Sequence, residues 1–168
     1  PVNEAALEWI ELRNMMSVDI DLSGWALTNG VNYVFPEGTI VPGRGYVVVA
    51  SDPVALAAQT GLPGILGPFN GRLDNNGELV TLCDNSGRVM DELTYADAGD
   101  WPVAADGSGA TLALLDEDGV RGAAHAWGFS SAVGGTPGAS NSAARTPATL
   151  AFNELAPAGS TNFWLELC

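Results

Sequence analysis

One histidine, two cysteines and 20 acidic residues are the side chains on which any chemistry of this chain would rest. A Ser-His-Asp relay would have to use His125, which stands in an irregular stretch. No serine sits in the Gly-x-Ser-x-Gly setting of a nucleophile elbow, so His125 reads as a structural residue. Paired carboxylates could hydrolyse a glycosidic bond, but close acidic pairs arise by chance in so acidic a chain and no spacing singles two of them out. No catalytic residue is assigned. Calcium suits oxygen-rich loops better. The candidate ligands are Asp97, Asp100 and Asp106, or the turn Asp116-Glu117-Asp118. Neither set has EF-hand spacing, which wants Asp or Asn where Val120 stands, so ordinary acidic turns are the simpler reading and no cofactor is required.

Three further groups could be functional or structural. Glu11 shares a strand face with Trp9, which would bury it beside Arg13 or Arg88, or fix it by a hydrogen bond to a neighbouring loop; the loop bond is preferred. Trp101 and Trp127 fall in predicted loops. They could stack on sugar rings, but large aromatics also close the open ends of small β domains. Cys83 and Cys168 show no metal-ligand spacing and no Cys-x-x-Cys, and Cys83 lies inside a predicted strand, so they are expected to stay unpaired.

The elements that must position these groups follow from composition and pattern. The chain has 168 residues, of which 46% are hydrophobic and 15% charged, with 21 Gly and 10 Pro. That suits one domain, with room for a fragment of a second, and excludes disorder, coiled coil and collagen. All six basic residues are Arg, and the net charge of -14 argues against nucleic acid and anionic membrane as partners. No run of 18 apolar residues is present, so no insertion into a membrane is expected. A start at Pro1 without Met is read as a piece of a longer precursor.

Strands are predicted at residues 8–13, 18–22, 25–28, 31–35, 46–50, 78–83, 88–95 and 110–115. Asn29-Gly30 and Asp84-Asn85-Ser86-Gly87 are the turn signals of two hairpins. The run Tyr46-Val47-Val48-Val49-Ala50 reads as a strand buried on both faces. One helix is predicted between Asp52 as N-cap, with Pro53 at its first position, and Gly61 as C-cap. Residues 120–141 read as irregular. Strands every 8 to 12 residues with a single short helix predict an all-β, antiparallel β-sandwich. Residues 1–141 form the domain, 142–149 a linker of small and polar residues, and 150–168 something more apolar.

That last segment repeats the start of the chain. Asn3-Glu4 followed by Trp9-Ile10-Glu11-Leu12 returns as Asn153-Glu154 followed by Trp164-Leu165-Glu166-Leu167, with spacers of different length. Residues 150–168 therefore read as the truncated start of a second similar repeat. Phe163 to Leu167 is expected to be a strand paired with another strand, with strand exchange through 150–168 possible and Trp164 packing as Trp9 does.

The order Asn3-Glu4, Trp9-Ile10-Glu11-Leu12, Asp21-Leu22-Ser23-Gly24-Trp25-Ala26-Leu27-Thr28, Phe35-Pro36, Gly45 to Ala50, Gly77 to Leu82, Asp91 to Tyr95 and Gly134-Gly135-Thr136-Pro137-Gly138-Ala139 resembles the lamin tail domain family, most closely its bacterial members. The resemblance covers residues 2–141. It departs from the family in a short segment between Glu4 and Glu8 and in Asn14-Met15-Met16-Ser17, both in loops. It implies an immunoglobulin-like fold and a non-catalytic module in a multidomain secreted or cell-surface protein. Its partners would be other domains of the same chain or other proteins, and its work adhesion, spacing or presentation of neighbours. The alternative is a carbohydrate-binding module appended to an extracellular hydrolase, with Trp101 and Trp127 as the sugar platform.

Overall fold

The computed structural model describes residues 4–105 and 109–144, and the backbone of 152–155 and 165–167. A 3-10 turn at Glu4–Leu7 leads into β1 (Trp9–Arg13). Then come β2 (Ile20–Asp21), β3 (Ala26–Asn29), β4 (Val31–Val34), β5 (Ile40–Val41), β6 (Tyr46–Ala50) and the helix α1 (Pro53–Thr60). After it lie β7 (Asn70–Gly71), β8 (Leu79–Cys83), β9 (Val89–Thr94), β10 (Leu112–Leu114), β11 (Trp127–Ser130), β12 (Ala143–Ala144), β13 (Phe152–Leu155) and β14 (Leu165–Leu167). All the strand ladders are antiparallel.

The main sheet has the order β7-β4-β3-β8-β9, and the ribbons β1–β6 and β2–β5 lie across from it. Leu27, Val31 and Phe35 meet Leu22, Val41, Val49 and Phe69 in one buried cluster, with Ile10, Leu12, Val47, Val80 and Leu82 packed around it. The two facing layers make the predicted β-sandwich, because period-two alternation gives each strand one apolar side to bury. Edge strand β9 carries exposed Asp91 and Glu92, charges that discourage a foreign strand from pairing there.

Local chemistry explains the elements. Asn29 takes φ 73, as the Asn-Gly turn between β3 and β4 requires. The side chain of Asp52 accepts from the backbone N–H groups of Val54 and Ala55, Pro53 opens α1, and Gly61 closes it in the left-handed region with φ 73. Leu56 of α1 then packs on Val48 and Ala50. The β6 run is thus covered on both sides, with Val48, Val49 and Ala50 buried.

Three expectations are corrected. The strand read over 18–22 shrinks to Ile20–Asp21, because Asp19 accepts from the N–H of Gly43 and Asp21 from the N–H and hydroxyl of Ser23, which turns the backbone at both ends. The stretch 120–141 is not irregular throughout: Trp127–Ser130 is β11, paired with β10. Nor is the segment after 141 all linker, since Ala143–Ala144 pairs with Phe129 and Ser130 as β12. In β11 the buried positions are Gly128 and Ser130, so no alternating apolar signal exists. A Cβ at Gly128 would lie 2.6 Å from the carbonyl oxygen of Ala144.

Leu165–Leu167 is a strand with a partner, as expected, and the partner is the same tail: Phe152 pairs with Leu167 and Leu155 with Leu165. Phe163, Trp164 and Cys168 lie outside the described residues.

Candidate functional site

Among the described residues, the outer face of the β1–β6 ribbon gathers ionisable side chains from distant parts of the chain. Alternation sends Ile10 and Leu12 to the sandwich core and Trp9, Glu11 and Arg13 to the other side. Their cross-strand partners are Ala50, Val48 and Tyr46. Trp9, Leu62 and Ile65 pack on the buried cluster of Val48, Ala50 and Leu56, which makes that end of the face apolar. The other end is polar and is covered by the acidic turn 116–118 and the loop 134–141.

Glu11 accepts a hydrogen bond from the N–H of Gly138. The preferred reading, a carboxyl held by a neighbouring loop, is therefore the arrangement found, and Arg88 pairs with Asp84 instead, at 3.3 Å. Arg13 reaches Asp118 with a hydrogen bond of 2.9 Å. Its Nε stands 3.2 Å from Glu117 Oε2, an ion pair without hydrogen-bond geometry. Arg44 also donates to Asp118, at 3.1 Å. The Tyr46 hydroxyl donates to Glu117 Oε2 at 2.7 Å and lies 3.0 Å from Ser140 Oγ. The N–H of Asn141 donates to Glu117 Oε1, and its side-chain amide donates to the carbonyl of Leu114 at 3.2 Å.

Burial sets the electrostatics. It pushes the Glu11 carboxyl up from 4.5 to about 7; the Gly138 N–H pulls the other way, and the nearby Glu117 charge raises it further. Burial also raises the Tyr46 hydroxyl above its usual value. Loop 134–141 can lie this close only because of its glycines. Gly135 has φ 75, and a Cβ there would stand 2.6 Å from Thr111 Oγ1 and 3.0 Å from the Trp9 ring.

A second group lies at the loops around residue 73. Glu8 accepts from the N–H of Leu73 at 3.0 Å and stands 3.7 Å from Arg72. Glu78 accepts from the N–H of Asp74 at 2.8 Å and from the Tyr95 hydroxyl at 3.0 Å. Burial, then Glu78, push the Tyr95 hydroxyl strongly up. Beside it is an open depression of about 360 Å³ lined by Arg72, Leu73, Asp74 and Asn75. These carboxylates hold backbone amides of loops.

The sequence-predicted candidates are distributed as follows. Asp97 is half-buried, Asp100 is exposed, and Asp106 lies outside the described residues. Among the described residues no three metal-ligating side chains converge. Glu117 and Asp118 of the alternative calcium set are engaged by Arg13 and Arg44. Trp101 and Trp127 do come together, with ring centres 6.5 Å apart and planes tilted by 38°. Trp127 is in a strand and not a loop, and its indole N–H donates to the carbonyl of Arg121 at 2.8 Å. His125 is exposed on the 3-10 turn Ala124–Ala126. Cys83 is a free, half-buried thiol, 4.0 Å from Thr28 Oγ1. Arg44, Tyr46 and Gly138 were not singled out by sequence reasoning, because no local pattern marks a partner 70 or more residues away, and the same holds for Asn141, whose partners lie 24 and 27 residues back. Among the described residues no helix is long and apolar enough to cross a membrane.

Residues 1–97 match the family model described as Lamin Tail Domain, and segment 98–144, with the acidic turn and the glycine loop, lies outside that match. No curated protein matches the chain.

Proposed function

The chain belongs to the Lamin Tail Domain family, and from that premise we infer that it is a non-catalytic, immunoglobulin-like module of a multidomain secreted or cell-surface bacterial protein, where it spaces, presents or attaches its neighbours. One observation carries the reading. Five half-buried ionisable side chains, Glu8, Glu11, Arg13, Glu78 and Glu117, each hold a loop or an ion pair of the fold, and so serve its rigidity. Rigidity is what a spacer or presenting module needs. The tail supports the multidomain part of the reading. Residues 150–168 repeat the opening pattern, and a two-stranded hairpin is too small to be stable alone, so it serves best as the start of a second similar unit. Its strands could also exchange with a neighbouring molecule.

The test is exposure in the producing cell. Antibody raised against the domain is expected to bind intact, unpermeabilised cells or to find the protein in the medium. Recovery only from the cytosol would contradict the placement.

The alternative, a carbohydrate-binding module appended to an extracellular hydrolase, draws on the meeting of Trp101 and Trp127. The tilt of the pair and the indole N–H spent on Arg121 favour a packing role instead. Titration with soluble plant and bacterial polysaccharides is therefore expected to leave tryptophan emission unchanged. A saturable shift that disappears in Trp101→Ala would establish the carbohydrate reading.

A further inference from the structure

The cover over the outer face of β1 is made of two pieces that touch β1 and β6 mostly through charge and hydrogen bonds. Glu117 and Asp118 meet Arg13, Arg44 and Tyr46 on one side. Loop 134–141 meets Glu11 through Gly138, and Glu117 through Asn141. Glu117 thus belongs to both pieces, and it faces Glu11 as a like charge.

We propose that loop 134–141 is a clasp over Glu11 that is closed while Glu11 carries its proton and opens when Glu11 and Glu117 are both charged, uncovering the Trp9–Glu11 face of β1 while the sandwich stays folded.

The geometry gives the clasp two states. Closed, the loop lies between Trp9, Glu11 and the end of α1; a Cβ at Gly134 would stand 3.2 Å from the Gln59 amide, and one at Gly138 would stand 2.6 Å from Leu62. Open, Glu11 regains water and its distance from Glu117. The facing groups are few. Arg13 comes from β1 itself, Tyr46 from β6, Glu117 and Asp118 from the acidic turn, and Arg44 reaches in through Asp118. Residues Pro53–Thr60 of helix α1 carry no charged side chain, and Asp52 is engaged in capping its N-terminus. Loop 134–141 brings no ionisable side chain, its polar ones being Thr136, Ser140 and Asn141. Arg13 thus stands as the one cation bonded directly to the acidic turn from β1, and it is shared between Glu117 and Asp118.

The sign follows from linkage. The closed form holds the Glu11 proton up to about pH 7, whereas a solvated Glu releases it near 4.5. Closure is therefore favoured most below the lower value and is lost as pH rises through the upper one. Over that range the Tyr46 hydroxyl, raised by burial, stays neutral.

Amide hydrogen exchange of the whole chain, corrected for the intrinsic rate, tests this at about pH 5.5 and about pH 8.5. Protection at residues 134–139 is expected to fall by roughly tenfold or more at the higher pH, a figure already reduced for the partial exposure of Glu11. Protection in β3 and β8 should hold. Glu11→Gln keeps an acceptor for the Gly138 N–H but cannot charge, so its loop should be protected equally at both pH values. Glu117→Gln removes the like charge and should shrink the pH effect; it serves if the first variant fails to fold. An unchanged wild-type loop, the same pH response in both variants, or a parallel loss in β3 and β8 would each overturn the clasp.

Discussion

Replacing Asn14 by alanine is expected to lower the unfolding free energy by about 2–4 kcal/mol. The side chain is 4% exposed and ties two loops together. Its amide nitrogen lies 2.8 Å from the carbonyl oxygen of Val18 and 3.0 Å from those of Val41 and Pro42, and its oxygen accepts from the N–H of Met16 at 2.8 Å. Two amide hydrogens serve three carbonyls, so one is shared. Alanine would leave those carbonyls partly unpaired away from water, which is where the cost arises. Asn14→Asp should be worse near neutral pH, because a carboxylate would face three carbonyl oxygens. Part of the loss should return as pH falls and the acid regains a proton to donate. Urea unfolding at two pH values reads both effects. The control is Met16→Ala, at an exposed position in the same loop, which should shift stability by no more than about 0.5 kcal/mol. Equal stability of Asn14→Ala and the wild type would show that the loop is held by its backbone alone.

The second large effect is expected at Arg13. Its side chain is 19% exposed and that of Glu117 is 15% exposed, so the pair is screened far less than a surface pair. Arg13→Met keeps the apolar stem but strands the half-buried Glu117 without a cation, while Asp118 keeps Arg44. A loss of about 2–4 kcal/mol is expected, most of it the cost of an uncompensated charge. Adding Glu117→Gln should recover at least half of that loss, because the amide carries no charge, its oxygen can still accept from the Asn141 N–H, and its NH2 can donate to the Tyr46 hydroxyl oxygen. A double-mutant cycle by denaturant unfolding measures the coupling. Strict additivity of the two changes would show that Arg13 acts through packing over the Tyr46 ring, whose centre lies 5.9 Å from the guanidinium carbon.

The parts of the fold that were legible in the sequence are those whose causes are local. The cap residues Asp52, Pro53 and Gly61 bound α1 in sequence and in space alike. The Asn29-Gly30 turn sets the β3–β4 hairpin, and Asp84 to Gly87 set the β8–β9 hairpin. Strand β11 was hidden because its inward positions are Gly128 and Ser130, whose worth lies in close approach and in hydrogen bonds that no hydropathy pattern records. Much the same holds for the site. A carboxyl on the same strand face as a tryptophan marked Glu11 as a group in need of a partner. Its donor Gly138 stands 127 residues on, in a loop that reads as a string of turn residues. Asn14 drew notice only as part of an unusual turn, although its burial makes it the hub of two loops.

The separation between β1 and its cover also bears on how the chain is made. Strands β1 to β9 are complete by residue 94, and the main buried cluster and the side chains packed on it all lie between residues 10 and 82. The polar cover reaches to residue 141. At translation speeds of roughly 5–20 residues per second, a ribosome needs roughly 2–10 seconds to add the difference. For that interval the nascent sandwich presents Glu11 and Arg13 uncovered on its outer ribbon, with Trp9 packed on Val48, Ala50 and Leu56 but not yet met by the glycine loop. The acidic turn arrives before the glycine loop, so Arg13 is neutralised first and Glu11 is sealed last.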